Sequence, residues 1–187
     1  MRFMHLDWDE LYHTHPDERY INWVGTTIEW SGGPETWLRT EHSSLNPFYW
    51  PETKNTIGIQ VPLGEPRRFA YGHFPLYLTV LLAKGLVAVG NMIPGFIGIH
   101  GVGSLLNVDG RIEYDHLTLV GRALAAAADT TTIFFVYLLG RRMGGVAAGV
   151  LAATSVSLAA QHIQQSHFGT FDAMLTMCVT GSLLSLV

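Results

Sequence analysis

The sequence carries little charge and almost no cysteine. Charged residues make up 14% of its 187 residues, whereas soluble domains carry about 25%. The lone Cys178 excludes an internal disulfide framework, so the redox compartment cannot be inferred from cysteine usage. The net charge of −4 provides no basic footprint for nucleic acid, and we expect no nucleic-acid partner. Hydrophobic residues, in contrast, reach 48%.

The apolar excess is concentrated in the second part of the chain. Residues 1–71 hold 10 of the 15 acidic residues, and long apolar runs follow from Gly72 onward. This pattern predicts an all-α polytopic membrane protein with a polar outer lobe. We divide it into an outer loop over 1–72, a juxtamembrane or re-entrant segment over 73–116, and membrane helices over 117–187. Those helices are predicted at 117–139, 146–163 and 173–187.

Both termini influence the interpretation. The chain opens without a signal peptide and stops at Val187 inside an apolar run. We therefore expect a fragment that lacks a preceding helix and most of a C-terminal half, and we expect this fragment to be inactive alone.

A compact polar motif, His15-Pro16-Asp17-Glu18, precedes an amphipathic stretch that extends to about Trp30. Proline suits the first position of a helix, and acidic residues suit the first turn. The simplest interpretation is a well-capped helix start. The alternative is a general base held at the membrane edge by a helix that lies in the interface.

The arrangement of the helices predicts on which side the acidic residues lie. Arg141 and Arg142, between two strong helices, belong in the cytoplasm by the positive-inside rule. Asp172 then lies at the outer surface. Asp17 lies on the same side only if residues 73–99 do not cross the membrane. The absence of a crossing is favoured by the residues that interrupt this apolar run, namely Pro75, Lys84, Asn91 and Pro94.

Carboxylates near histidines form one set of candidates. Asp17 and Asp172 could each act as a general base or as a ligand for a divalent cation, the latter together with His15 and His167. His13 and His162 lie close in sequence to the same acids. The alternative is that the histidines pack at the interface and that Asp172 caps a helix.

Cationic residues form a second set. Arg67, Arg68, Tyr71 and His73 suit a lipid-linked phosphate, although they could equally anchor a loop. Arg122 and Asp129 lie seven residues apart on one face of a predicted membrane helix, where ionisable residues are functional candidates. They could form a structural pair, or Arg122 could meet a lipid phosphate.

Four segments, taken in order, resemble one family. They are Pro16-Asp17-Glu18-Arg19, Phe69-Ala-Tyr-Gly-His-Phe-Pro-Leu-Tyr77, Gly121-Arg122-Ala-Leu with Val136-Tyr-Leu-Leu-Gly-Arg-Arg142, and Gln165-Ser-His-Phe-Gly-Thr-Phe-Asp172-Ala-Met. With these segments the chain resembles the N-terminal third of a GT-C polytopic membrane glycosyltransferase. The nearest group is family 39, with the dolichyl-phosphate-mannose–protein mannosyltransferases and aminoarabinose transferases. The loop over 31–68 departs from that pattern.

The resemblance implies an inverting glycosyltransferase in the plasma membrane with its active face outward. It implies a polyprenyl-phosphate sugar donor and a lipid, glycan or protein acceptor. Asp17, with Glu18 beside it, would be the catalytic base, and Asp172 would shape the site or hold a divalent metal. Arg67, Arg68, Tyr71, His73 and Arg122 would bind the donor phosphate.

Two other functions remain open from the residues alone. One is a membrane metal hydrolase that uses His13, His15, Asp17 and His167. The other is a transporter subunit in which Arg122 and Asp129 line the path of the transported solute.

Overall fold

The described part of the chain is all-helical. The computed structural model describes residues 2–10, 12–30, 33–37, 43–52, 62–92 and 114–187. The helices are α1 Pro16–Gly25, α2 Pro34–Trp37, α3 His73–Met92, α4 Tyr114–Leu158, α5 Ala160–Gln165 and α6 Asp172–Leu186. The chain divides into two compact units, Met1–Glu18 with Leu119–Val187, and Arg19–Thr118.

Helix α1 begins where the sequence predicts. Pro16 occupies its first position, and Asp17 and Glu18 follow in the first turn. The His15 ring caps the helix, because its Nδ1 accepts a hydrogen bond from the Glu18 backbone N–H, with 3.4 Å between the two nitrogens. The helix ends at Gly25 rather than near Trp30, so it is shorter than predicted.

The core of the Arg19–Thr118 unit forms around one face of α3. Leu76, Val80, Ala83 and Val87 are buried and follow one another at intervals of three or four residues. The end of α1 approaches this face closely at Gly25. A Cβ atom there would lie 3.3 Å from Leu117 Cδ1, so the contact requires a small residue.

Helix α3 shows how the chain accommodates two of the residues that the sequence suggested would interrupt residues 73–99. It is continuous over 20 residues, and its His73–Gly90 stretch is long and apolar enough to cross a membrane. Pro75 does not interrupt it because proline is tolerated in a first turn. Lys84 is accommodated with its ammonium 5.1 Å from the centre of the Trp30 ring. The prediction for Pro94 lies outside the described residues.

Helix α4 contains a chain reversal at Gly145. This residue has φ 84° and ψ −178°, which a non-glycine residue would rarely adopt. The chain folds back there, since a Cβ on Gly149 would lie 2.7 Å from the Tyr137 carbonyl oxygen, 12 residues earlier. Two antiparallel arms result, 114–144 and 146–158, so the predicted helices 117–139 and 146–163 have different limits in the structure.

Helix α6 forms a third arm beside the first. Arg142 Nη1 donates to the Leu184 carbonyl at 2.6 Å, and a Cβ on Gly181 would lie 3.0 Å from the Phe135 ring. The start of α6 therefore lies near Asp129, and its end lies near the Gly145 reversal. At the end opposite that reversal, the arms bring Asp129, His162 and Asp172 together.

Candidate functional site

Arg122 is the centre of a buried ion-pair network in the Met1–Glu18 and Leu119–Val187 unit. Its side chain is fully buried. Its Nε and Nη2 donate to the two carboxylate oxygens of Glu18, each at 2.8 Å. Its Nη1 and Nη2 donate to Asp9 at 2.8 and 2.9 Å, and Nη1 also donates to the Leu6 carbonyl at 2.7 Å. All five guanidinium N–H groups therefore have acceptors.

This network changes the interpretation of Arg122. The sequence suggested a contact with a phosphate or a pair with Asp129, seven residues away. In the structure Arg122 pairs with Asp9 and Glu18, so the expected pair with Asp129 is not formed. To bind a phosphate, Arg122 would have to leave two buried carboxylates unpaired, which is costly. Its role as a phosphate ligand remains a prediction.

Glu18 and Asp17 are neighbours in sequence with opposite environments. Glu18 is fully buried, and its Oε1 also accepts the Gly169 backbone N–H at 2.6 Å. Asp17 is exposed, because successive residues of an α-helix point about 100° apart. The buried carboxylate thus fixes the first turn of α1 and leaves the Asp17 carboxylate in solvent.

The segment around Gly169 depends on this carboxylate. A Cβ on Gly169 would lie 2.9 Å from Glu18 Oε1, so the backbone can approach the carboxylate only because the residue is glycine. Phe168, beside it, packs against His15 with ring centroids 4.5 Å apart. The loop before Asp172 is therefore attached to the start of α1.

Asp129 is the centre of a second polar cluster, at the same end of the arms. Arg2 Nε donates to its Oδ2 at 2.7 Å, and Arg2 Nη1 donates to the Ser157 carbonyl. His162 Nδ1 lies 2.6 Å from Asp129 Oδ1. A carboxylate bonded to one imidazole nitrogen orients the ring and leaves the other nitrogen for a ligand.

Asp172 lies beside this cluster. It is exposed and lines a cavity of about 260 Å³ at the start of α6. The other lining residues are Asp129, Gln161, His162, Gln165, Ala173 and Thr176. Asp17 does not line this cavity, so the two predicted acids lie at the same end of the arms without forming one pocket.

The predicted phosphate-binding residues of the Arg19–Thr118 unit fall into two groups. Arg67 is buried and donates to Thr27 Oγ1 at 2.9 Å and to the carbonyls of Pro47 and Asn46. Its guanidinium carbon lies 4.5 Å from the centre of the Trp50 ring. Burial lowers the pKa of Arg67 to about 10, so it remains cationic at neutral pH. These contacts hold the loop together, which was the alternative that the sequence left open.

Arg68, Tyr71 and His73 form the second group. Arg68 and His73 are exposed, and Tyr71 is half-buried. The His73 ring lies 5.1 Å from that of Phe48, and the Tyr71 ring lies 5.5 Å from that of Phe69. Arg68 and His73 are therefore the exposed members of the predicted phosphate set.

The predicted metal set does not assemble. Among the described residues, no group of three or more His, Cys, Asp or Glu side chains could hold a metal ion. His167 has carbonyl oxygens near both ring nitrogens, Ile163 at 2.7 Å from Nδ1 and Met4 at 3.2 Å from Nε2. His15 Nδ1 is engaged as the cap of α1. The set of His15, Asp17, His167 and Asp172 is therefore not brought together as a metal site in the described part of the chain, and the hydrolase remains a prediction.

Several residues of these clusters were not selected from the sequence. Asp9 and Arg2 lie in an acidic and aromatic segment without periodicity, so no local signal distinguishes them. Gln161, Gln165 and Thr176 appear as ordinary polar residues at helix ends. Of the residues beside the cavity that were not predicted as site residues, only His162 was mentioned from the sequence, because it lies close to Asp172.

Comparison of the chain with protein-family models, with curated proteins and with solved structures finds no match.

Proposed function

We propose that the protein is a multi-pass membrane glycosyltransferase of the GT-C type, in which Asp17 is the catalytic base. It transfers a sugar from a polyprenyl phosphate to an acceptor hydroxyl at the outer face of the plasma membrane. The observation that carries this proposal is the Arg122 network, because it fixes the first turn of α1 so that Asp17 is exposed beside a buried Glu18. The order of the sequence motifs supports it.

A change in burial along α4 supports a membrane location. From Leu119 to Asp129 most side chains are buried, including Val120, Ala125, Ala126 and Ala128. Beyond Asp129, large apolar side chains of the three arms are exposed. These include Phe134, Met143, Val146, Val150, Leu151, Leu175, Val179 and Leu183.

This boundary moves the proposed span relative to the sequence prediction. Exposed apolar surface of this extent fits lipid rather than water. Thr130 to Gly145 rises about 24 Å, which is about four fifths of the roughly 30 Å of a bilayer core. The turns from Leu119 to Asp129 then lie in the outer lobe. Arg141 and Arg142, exposed at the reversal, take the cytoplasmic side.

The chemistry requires a positioned carboxylate. Asp17 accepts the proton of the acceptor hydroxyl, whose oxygen attacks the anomeric carbon while the bond to the lipid phosphate breaks. Attack from the face opposite the leaving group inverts the configuration. The negative charge that develops on the phosphate requires positively charged groups or hydrogen-bond donors beside it. The acceptor is a lipid, a glycan or a protein.

Substitution of the proposed base tests this function. The whole protein in native-like membranes is supplied with a short-chain polyprenyl-phosphate mannose, and transfer of the labelled sugar is measured. Asp17→Asn should reduce transfer by about 10²- to 10⁴-fold, the usual contribution of a general base. Asp7→Asn, another exposed acid of the same unit, is the matched control. Near-normal transfer by Asp17→Asn would refute the assignment.

A transporter subunit is retained as a second candidate because Asp129 is buried, paired and beside a polar cavity. This function predicts that Asp129→Asn abolishes solute movement in proteoliposomes whereas Asp17→Asn does not. The opposite pattern, measured on the same two variants, favours the glycosyltransferase.

A further inference from the structure

The cavity at the start of α6 has the size of a small ligand site. Its volume of about 260 Å³ equals that of roughly eight or nine water molecules in the liquid. This lies just below the range of about 300–1,000 Å³ that is typical of ligand pockets. A monosaccharide fits such a volume, whereas a lipid chain or a peptide does not.

The lining of the cavity is rich in groups that bind hydroxyls. Gln161 and Gln165 each carry an amide that can both donate and accept, and Thr176 carries a hydroxyl. Asp172 adds an exposed carboxylate. His162, held by Asp129 through Nδ1, has no partner at Nε2 among the described residues. Together these groups offer both donors and acceptors, which a polyol requires.

The charge of the lining favours a neutral ligand. Asp129 is neutralised by Arg2 at 2.7 Å, so Asp172 is the only unpaired acid among the described residues that line the cavity. A divalent cation would require more anionic oxygens at short distances. A sugar ring instead uses single carboxylates and amides as hydrogen-bond partners.

We propose that this cavity is a sugar-binding site in which Gln161, His162, Gln165 and Thr176 bind the hydroxyls of one pyranose ring. The assignment rests on the proposed function, because a glycosyltransferase requires a binding site for a sugar and this cavity would provide one beside Asp172. The ring belongs either to the lipid-linked donor or to a glycan acceptor. In both cases the chemistry of recognition is the same.

Direct binding tests the site without any transfer. The whole protein in nanodiscs is titrated with methyl α-D-mannopyranoside by saturation-transfer NMR. The variants are His162→Gln, Thr176→Val and the double variant Gln161→Ala/Gln165→Ala. Gln164→Ala and Thr180→Val are the matched controls, because they neighbour the site without lining it. The site variants should bind roughly ten- to a hundredfold more weakly, whereas the controls bind as the wild type does.

Unchanged binding in all three site variants would overturn the proposal, as would a site that takes magnesium or tetramethylammonium and no sugar. Thr176→Val keeps nearly the shape of the side chain, so its loss of binding with a normal circular dichroism spectrum cannot be attributed to misfolding. Competition by a short-chain polyprenyl-phosphate mannose assigns the cavity to the donor, and simultaneous binding assigns it to the acceptor. Sugar binding without transfer would contradict only the proposed function.

Discussion

Removing the Arg122 guanidinium should destabilise the protein more than any exposed substitution of the same kind. Arg122→Met leaves the buried carboxylates of Asp9 and Glu18 without their cation, and both keep a desolvation cost that the ion pairs had offset. Removal of one partner from a buried ion pair typically costs about 3–5 kcal/mol. Because two carboxylates and five hydrogen bonds are affected here, we expect the upper half of that range.

Chemical denaturation of the detergent-solubilised protein measures this effect. Arg141→Met is the matched control, because Arg141 is exposed and its loss should change the free energy of unfolding by less than about 0.5 kcal/mol. The double variant Glu18→Gln/Arg122→Met should lose less than the sum of the single variants, with a coupling of about 1–3 kcal/mol. Equal destabilisation by Arg122→Met and Arg141→Met, or strict additivity, would refute the argument.

Three further predictions concern backbone positions and pH. Gly169→Ala places a methyl group against Glu18 and should lower the free energy of unfolding by about 1–3 kcal/mol. Gly33→Ala is the control and should not destabilise the protein, because a Cβ there meets nothing within 4 Å. Equal effects of the two substitutions would contradict the close contact at Gly169. Gly145→Ala should cost about 1–2 kcal/mol because φ is positive there, and an unchanged denaturation midpoint would count against a strained reversal. The pKa of Arg67 is lowered in the fold to about 10, so above that pH the unfolded chain binds more protons than the folded one. The free energy of unfolding, measured relative to Arg67→Met, should therefore rise with pH there by up to about 1.4 kcal/mol per pH unit. A flat difference between pH 9 and 11 would contradict the lowered pKa.

Local features of the sequence predicted the elements well. Proline followed by two acids predicted the start of α1, and the structure begins α1 at Pro16. The segment Gly140-Arg-Arg-Met-Gly-Gly145 predicted a tight turn between two apolar helices, and the chain reverses at Gly145. These predictions succeed because capping and backbone conformation depend on a few neighbouring residues.

Partners distant in sequence were not predictable in the same way. Arg122 and Asp129 share a helix face, which suggested a pair, yet each is neutralised by residues more than 100 positions earlier, Glu18 and Arg2. Ion pairs of this kind depend on which surfaces meet, and helical periodicity carries no information about that. The burial of α4 as far as Asp129 was unpredictable for the same reason, because the N-terminal segment contacts the helix there.

The sequence by itself determined that the chain is helical, with long apolar segments and a polar motif at the start of α1, because periodicity and composition are local properties. Tertiary structure alone decided that Glu18 is buried while Asp17 is exposed. It also placed Asp172, His162 and Asp129 around one cavity. The reason is physical: a carboxylate acquires its role from the charges and solvent around it, and those are supplied by residues far away along the chain.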